Sequence, residues 1–582
     1  MSYFDSFFKY IGGSETNSIE FEEIDTTGIN TNISQTENSD KAYSTTGSKC
    51  LDFFTRITRG ATLADYVESF FQALKEDQAT ATKLLFNLRD IRSGKGEKLI
   101  PIVLMVCLKH TNKDIYQSIL ELFVSYGCWK DILKIIEISN RLHLELNPEL
   151  TINEIDNSVE YDMFAVQLKS DYDKLLEADT NTDTKISVSL CAKWAPSENT
   201  HFNKNPICAA DNIRLKLKQN PKQYRQMLGA LRSHLNILER LMSSGQTDKI
   251  QFENVPSVAM MKMKNSFNRE TNAAGVESES RKNLRKSYQA YLAELTQGKT
   301  KVNVKGIQPH ELIKTYLHNP ATDIDQLVEA QWTTLVNKVK ESGIFKNTLA
   351  VVDTSSSMNG QPLEVAIALG ILVSECTESS DKKVITFNTT PRWHQLVGSN
   401  LKDKVISMNY GDWGGSTNLR KTFELILTDA TNSNLSLDQM VSTLIIFTDM
   451  QFDSVTDGEK WQTTFETCTN LFKEAGYTLP KIVCWNLRTS SAKSLPVSME
   501  DEGYVMLSGF SAELLKYILT GDEFSPIKMM LHVLEAYVVP LIPPSNIYNV
   551  MNTSNIYNVI DIGSLQKAID ASMFKKSFKV NK

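Results

Sequence analysis

Two short apolar runs, each ending in an aspartate, constrain this chain more than anything else in it. Thr348-Leu349-Ala350-Val351-Val352 runs into Asp353, and Leu444-Ile445-Ile446-Phe447-Thr448 runs into Asp449. Neither run alternates polar with apolar residues. Each therefore reads as a strand buried on both faces, the habit of parallel sheets covered by helices. The pattern around them agrees: strands are expected at 348–353, 383–387, 443–448, 481–486 and 503–507, with helices at 362–375, 417–428, 460–474 and 511–519. Alternation of this size implies a doubly wound sheet. A further apolar helix is expected at 526–539.

In such sheets ligands bind outside the C-terminal ends of the strands. Asp353, Ser355 and Ser357 form a D-x-S-x-S pattern at that edge. Gly414-Gly415-Ser416-Thr417-Asn418 offers a third hydroxyl on Thr417, and Asp449 a second carboxylate. Oxygen-only side chains suit a hard divalent cation such as Mg²⁺, which keeps several waters and leaves room for an incoming ligand. The plainer reading of D-x-S-x-S alone is a helix cap, with Asp353 or Ser355 accepting backbone N–H bonds.

The chain has 582 residues, enough for two or more domains. Its net charge of −7 carries no overall basic signature. The eight cysteines are scattered, without C-x-x-C or Cys/His metal spacing, and read as small buried thiols in a reducing compartment. Met1-Ser2-Tyr3-Phe4-Asp5 opens no secretory signal, and the apolar runs are too short or interrupted to cross a bilayer. An intracellular, cytoplasmic, non-secreted protein without a membrane partner is expected, or one packaged in a particle if the source is a large DNA virus.

Residues 1–48 hold eight acidic residues against two lysines and read as a disordered acidic tail. From 49 to 345 helical periodicity dominates. Leu63, Tyr66, Val67, Phe70 and Phe71 make one apolar stripe, and Ile115, Ile119, Leu120 and Phe123 another. Repeated amphipathic helices on short turns suggest a HEAT-like repeat array. The less periodic stretch 139–190 reads as an insertion. In the C-terminal tail, 541–582, Ser545 to Val550 recurs as Ser554 to Val559.

Residues 211–305 carry 18 Lys and Arg against 8 Asp and Glu, a local excess of ten positive charges. Arg269, Arg281, Lys282, Arg285 and Lys286 fall close together if this segment is helical, with Phe267, Tyr288 and Tyr291 among them. Cations with interleaved aromatics suit phosphate contacts and base stacking, so a small structured RNA is a candidate partner. A solvated helix face is the alternative. Arg89-Asp90-Ile91-Arg92-Ser93-Gly94-Lys95-Gly96-Glu97 is a second basic knot, whose glycines could let backbone N–H groups approach an anion. It equally reads as a helix stopped by Gly94. Lys193-Trp194-Ala195-Pro196-Ser197 reads as a helix end beside an aromatic anchor.

Asp353, Ser355, Ser357, Thr417 and Asp449 resemble, in order and residue by residue, the metal-ion-dependent adhesion site of von Willebrand factor A domains. That resemblance implies a Mg²⁺ held by these five residues, with an open position for an Asp or Glu of a protein partner. Arg89 to Glu97, Lys193 to Ser197 and Pro309-His310-Glu311-Leu312-Ile313 resemble segments of the TROVE module of the Ro ribonucleoprotein family, where helices bind small noncoding RNAs. It implies candidate RNA contacts at Arg89, Arg92, Lys95 and Lys193 besides the later cluster. The pairing is similar to a eukaryotic and viral family joining a TROVE-like helical region to a C-terminal A domain, here over about 50–540. It carries D-T-S-x-S-M and D-M-Q-F-D, here Asp353 to Met358 and Asp449 to Asp453.

The fold expected is thus α followed by α/β: a helical region at 49–345, then a doubly wound, Rossmann-like, A-type domain at 346–540. The function expected is non-catalytic, an RNA-binding protein with a Mg²⁺-dependent interaction domain. The alternative is a metal-dependent protein scaffold without RNA. A metal-dependent hydrolase is the weaker alternative, since no G-x-S-x-G elbow or H-E-x-x-H spacing occurs.

Overall fold

A computed structural model describes residues 33–35, 41–58, 62–149, 155–179, 186–271, 275–387, 390–409, 419–450, 461–488, 495–499, 501–521, 524–540 and 561–573. Among these the chain is mixed α/β, with a largely helical first part and a six-stranded sheet in the second.

Strands β1 (Ile33–Gln35) and β2 (Lys41–Tyr43) pair antiparallel, and Tyr43 bridges to Leu495 beyond the sheet. The main sheet contains β3 (Thr348–Asp353), β4 (Lys383–Phe387), β5 (Arg392–Gln395), β6 (Thr443–Thr448), β7 (Lys481–Asn486) and β8 (Tyr504–Ser508). Its order is β5-β4-β3-β6-β7-β8, all neighbours parallel except β4 and β5. Counted within the sheet this is 3-2-1-4-5-6, the doubly wound order whose winding reverses between its first and fourth strands. The reversal therefore lies between β3 and β6, the two strands that end at the aspartates.

The β-branched and aliphatic residues of β3, β6 and β7 are buried continuously after the first residue of each strand. Helix Gln361–Glu375 packs against β3, β4 and β6. It approaches closely because position 370 is glycine: a Cβ there would come 2.5 Å from Val352 Cγ2.

The helical part runs from Lys49–Arg56 to Gln326–Glu341. Its ends follow sequence signals. Thr62 and Asp65 form a reciprocal cap on Leu63–Glu76, and Asp325 accepts the N–H groups of Leu327 and Val328. The described residues of 139–190 are built into this body rather than inserted outside it. Helix Ser158–Asp179 buries Phe164 and Leu168 in the shared core, and Asn157 Nδ2 donates to Asn140 Oδ1 at 2.8 Å.

Of the expected acidic tail, 1–32 lies outside the described residues, whereas 33–35 and 41–43 are strands. The duplicated segment at 545–559 also lies outside them. The expectation of a tail to 582 fails at Ile562–Met573, an amphipathic helix that buries Leu565 and Ile569 against helix Trp129–Leu146.

The helical part closes the C-terminal ends of β7 and β8. Asn486 Nδ2 donates to Thr55 O at 3.1 Å, and Ser508 Oγ to Phe54 O at 2.6 Å. On another side, helix Pro309–Leu317 packs along Gln361–Glu375, where Glu364 accepts from Lys314 Nζ and His318 Nε2, both at 2.8 Å.

Candidate metal centre

Asp353 is the last residue of β3 and is fully buried. The register pairing Val352 with Phe447 sets it beside Thr448, with Asp449 one step beyond on the next strand. Thr448 Oγ1 donates to Asp353 Oδ2 at 2.7 Å, and the Ser355 N–H to Oδ1 at 2.9 Å. Ser355 and Ser357 hydroxyls lie 3.0 Å apart. The turn is tied down by the Thr354 N–H on Phe387 O (3.0 Å) and by the buried Met358. After Asp449 the chain leaves through Met450 at φ 64°, a left-handed conformation that costs a side-chain-bearing residue energy.

Burial, and secondarily the charge of Asp449, push the Asp353 carboxyl up to about 7. No lysine or arginine among the described residues pairs with it. A buried carboxylate with only neutral donors and a second carboxylate beside it is short of positive charge. A divalent cation fits that deficit, and the hydroxyls of Ser355 and Ser357 complete an oxygen donor set. Thr417 lies outside the described residues. Among the described residues no three His, Cys, Asp or Glu side chains gather as a metal site.

The candidate RNA contacts divide. Arg89 and Lys95 are 4% and 2% exposed, and the structure corrects their assignment. Arg89 forks onto Asp131, Nε to Oδ2 at 2.7 Å and Nη2 to Oδ1 at 3.1 Å. Lys95 Nζ donates to Phe54 O and, at 2.6 Å, to Ser508 Oγ. The amides of Gly94, Lys95 and Glu97 donate to Asp90, Asn87 and Leu88 carbonyls, so the knot offers no anion nest. Arg92 caps the carbonyls of Ser125 (2.9 Å) and Tyr126 (3.2 Å) at a helix end. The knot is an internal clamp: backbone and side-chain donors meet carbonyls that folding would otherwise orphan.

Lys193 Nζ sits 5.6 Å over its neighbour Trp194. The Lys193–Ser197 segment is gathered by Arg232, which donates to Ala192 O, Ala195 O and Ser197 Oγ. The sequence carried no sign of that guanidinium's task. On helix Glu279–Thr296, Lys282 pairs with Glu277 and Arg285 with Glu270, each at 2.7 Å, and Arg281 donates to Ser266 O. Lys286 and Arg269 are exposed. The aromatic expectation is corrected. Phe267, Tyr288 and Tyr291 are buried with Phe252, ring centroids 5.2–5.4 Å apart, and present no stacking platform.

Arg488, just past β7, is a residue that no motif flagged. Its Nη1 donates to Ser357 O at 2.5 Å, which puts a guanidinium on the rim of the D-x-S-x-S turn.

Among the described residues no helix is long and apolar enough to cross a membrane. A family model described as a domain of unknown function, DUF2828, matches residues 36–162 and 157–345, and a second, DUF7788, also a domain of unknown function, matches 347–536. The junction falls between helix Gln326–Glu341 and β3, so the two matches divide the chain where helices give way to sheet. An uncharacterised protein of Acanthamoeba polyphaga mimivirus is 56% identical over 512 residues, 87% of this chain and 88% of the relative. The chain belongs to the DUF2828 family, its helical part matching that model and its sheet the DUF7788 model.

Proposed function

We propose that the sheet domain is a von Willebrand factor A-like, Mg²⁺-dependent docking module, carried on a TROVE-like, HEAT-type helical body. One observation carries the reading: two buried carboxylates, Asp353 and Asp449, end adjacent parallel strands at the point where the sheet's winding reverses. Asp353, Ser355, Ser357 and Asp449 would hold the cation, with Thr417 as the fifth ligand. When bound, the cation supplies a Lewis-acid position for the carboxylate of a partner's Asp or Glu. The protein's own part is to hold the two carboxylates side by side, where a cation would favour the ionised form that burial disfavours at Asp353, and to keep the hydroxyls oriented. Docking of this kind needs no nucleophile–base pair, only the cation and its open position.

The test is titration of the full chain with MgCl₂ by calorimetry, and with Mn²⁺ by electron spin resonance. One site per chain is expected, lost in Asp353→Ala while the far-ultraviolet circular dichroism is unchanged. Equal uptake by the wild type and the variant excludes the reading.

The ten-charge excess at 211–305 favours a second reading, RNA contact by the helical body. With the aromatics buried, that contact is limited to phosphates at Arg269, Arg281, Lys282, Arg285, Lys286 and, apart from them, Lys193. Filter binding to a structured RNA should then fall steeply with salt and little with sequence. Charge reversal of Arg281, Lys282, Arg285 and Lys286 should abolish it; unchanged retention excludes RNA.

A further inference from the structure

We infer that Arg488 is the selectivity residue of the docking module: its guanidinium takes the second oxygen of an acidic side chain delivered to the cation site. The inference rests on the docking reading above and deepens it. Three observations point the same way.

The first is charge. Asp353 and Asp449 together balance one divalent cation. An incoming carboxylate therefore adds an uncompensated negative charge unless the rim supplies a positive one. Arg488 supplies it from an exposed position.

The second is availability. Arg488 Nη1 is held by the Ser357 carbonyl, and no carboxylate among the described residues pairs with the guanidinium. An arginine fixed through one N–H retains a fork of donors in a known place. That fork matches a carboxylate better than a lysine ammonium would.

The third is preorganisation. Asn486, the last residue of β7, donates through Nδ2 to Thr55 O of the helical body and accepts the Arg488 N–H on Oδ1 at 3.0 Å. The Leu487 N–H bonds Thr448 O at 2.9 Å, next to Asp449. A continuous path therefore runs from helix Lys49–Arg56 through Asn486 and Arg488 to the Ser357 carbonyl. Docking of the helical body shapes the turn that presents the guanidinium, a reason for the two parts to share one chain.

The experiment uses the full chain loaded with Mn²⁺ and the probe N-acetylglutamate, whose proton resonances broaden when it sits near the paramagnetic ion. Metal-dependent broadening is expected in the wild type. Arg488→Gln should bind Mn²⁺ as the wild type does but weaken the probe about two- to fivefold, the range for losing an exposed ion pair. Arg488→Lys should recover part of the loss. Asn486→Ala should weaken the probe without touching Mn²⁺. If Mn²⁺ fails to bind the wild type, the cation reading and this inference fall together. If Mn²⁺ binds but the probe does not, docking of carboxylates falls, and Arg488 with it. If the probe binds Arg488→Gln and wild type equally, the inference alone is overturned. A preference for inorganic phosphate over N-acetylglutamate, also dependent on Arg488, would overturn the acidic side chain as the ligand.

Discussion

Lys95 is the group whose burial should be felt most plainly in solution. Its side chain is enclosed between the two parts of the molecule, with the ammonium on Phe54 O and Ser508 Oγ and 4.7 Å above the Phe54 ring. Burial, opposed only by the charge of Glu97, pulls its pKa from 10.5 down to about 7. A depression of that size corresponds to a penalty on the charged form on the order of 5 kcal/mol. The folded chain prefers the neutral amine, and the unfolded chain keeps the ammonium up to its ordinary value. Between about pH 7 and pH 10.5 the unfolded state therefore binds more protons, and stability rises with pH by up to about 1.4 kcal/mol per unit. Below pH 7 the whole penalty is present. Lys95→Met keeps the length and removes the charge. It forfeits hydrogen bonds worth about 1–3 kcal/mol, though the Phe54 carbonyl still accepts from Ser508. The net expectation is a variant more stable than wild type by about 2–4 kcal/mol at pH 6, by difference of those two figures. The gap should close as pH rises towards 10. Urea unfolding followed by tryptophan fluorescence from pH 6 to pH 9.5 reads this directly. A gap that does not change with pH, or a variant less stable at pH 6, would show that the ammonium is not held in a low-dielectric interface.

Arg89→Met should destabilise by about 3–5 kcal/mol, because it strands Asp131 in the core; a thermal melt reads it. Gly370→Ala places a methyl against Val352, one residue before Asp353, and should cost about 1–3 kcal/mol. Adding Val352→Ala should recover part of that loss in the same melt, whereas simple additivity of the two changes would refute the contact. Deleting 561–582 uncovers helix Trp129–Leu146 where Leu565 and Ile569 are buried, about 1.5–3 kcal/mol for each side chain. The truncated chain should bind 8-anilinonaphthalenesulfonate and melt earlier, and an unchanged melt would mean that the helix contributes nothing to the fold.

The strands were legible because burial on both faces leaves apolar runs with little else to be: four of the five expected ranges, 348–353, 383–387, 443–448 and 481–486, coincide with β3, β4, β6 and β7. β5 escaped because it is an edge strand, and Arg392, Trp393, His394 and Gln395 need not be apolar there. The aromatics of the basic segment were misjudged for a related reason. Tyr288 and Tyr291 are three apart on a helix, which is core spacing, but Arg281, Lys282, Arg285 and Lys286 just before them give the segment a solvated face as well. Arg89 and Lys95 were misjudged because their partners are distant: Asp131 is 42 residues away and Ser508 is 413. A charge run looks solvated until the residue that receives it is known.

The same limit explains why the candidate site was legible and its surroundings were not. Four strand ends in this sheet carry polar residues at the C-terminal edge: Asp353, Asp449 after β6, Asn486 and Ser508. Taken singly, each is an apolar strand finished by a hydrogen-bonding side chain. Two of them, Asn486 and Ser508, are consumed by the helical body, which brings neutral carbonyls and one lysine to meet them. The buried Asp353 carboxylate requires more than its neutral donors give. Amides and hydroxyls offset part of a buried charge, yet at Asp353 they leave the carboxyl raised to about 7. The residue type at the strand end thus decides which ends a neutral protein surface can close. Replacing Asp353 by Asn should make this end behave like that of β7. The burial penalty on the charge and, secondarily, the repulsion from Asp449 would vanish, the metal-free protein would melt later than wild type above pH 7, and the ability of Mg²⁺ to raise the melting temperature would be lost. If Asp353→Asn instead melts earlier without metal, the buried Asp353 charge is not destabilising, and the electrostatic case for a cation beside it fails.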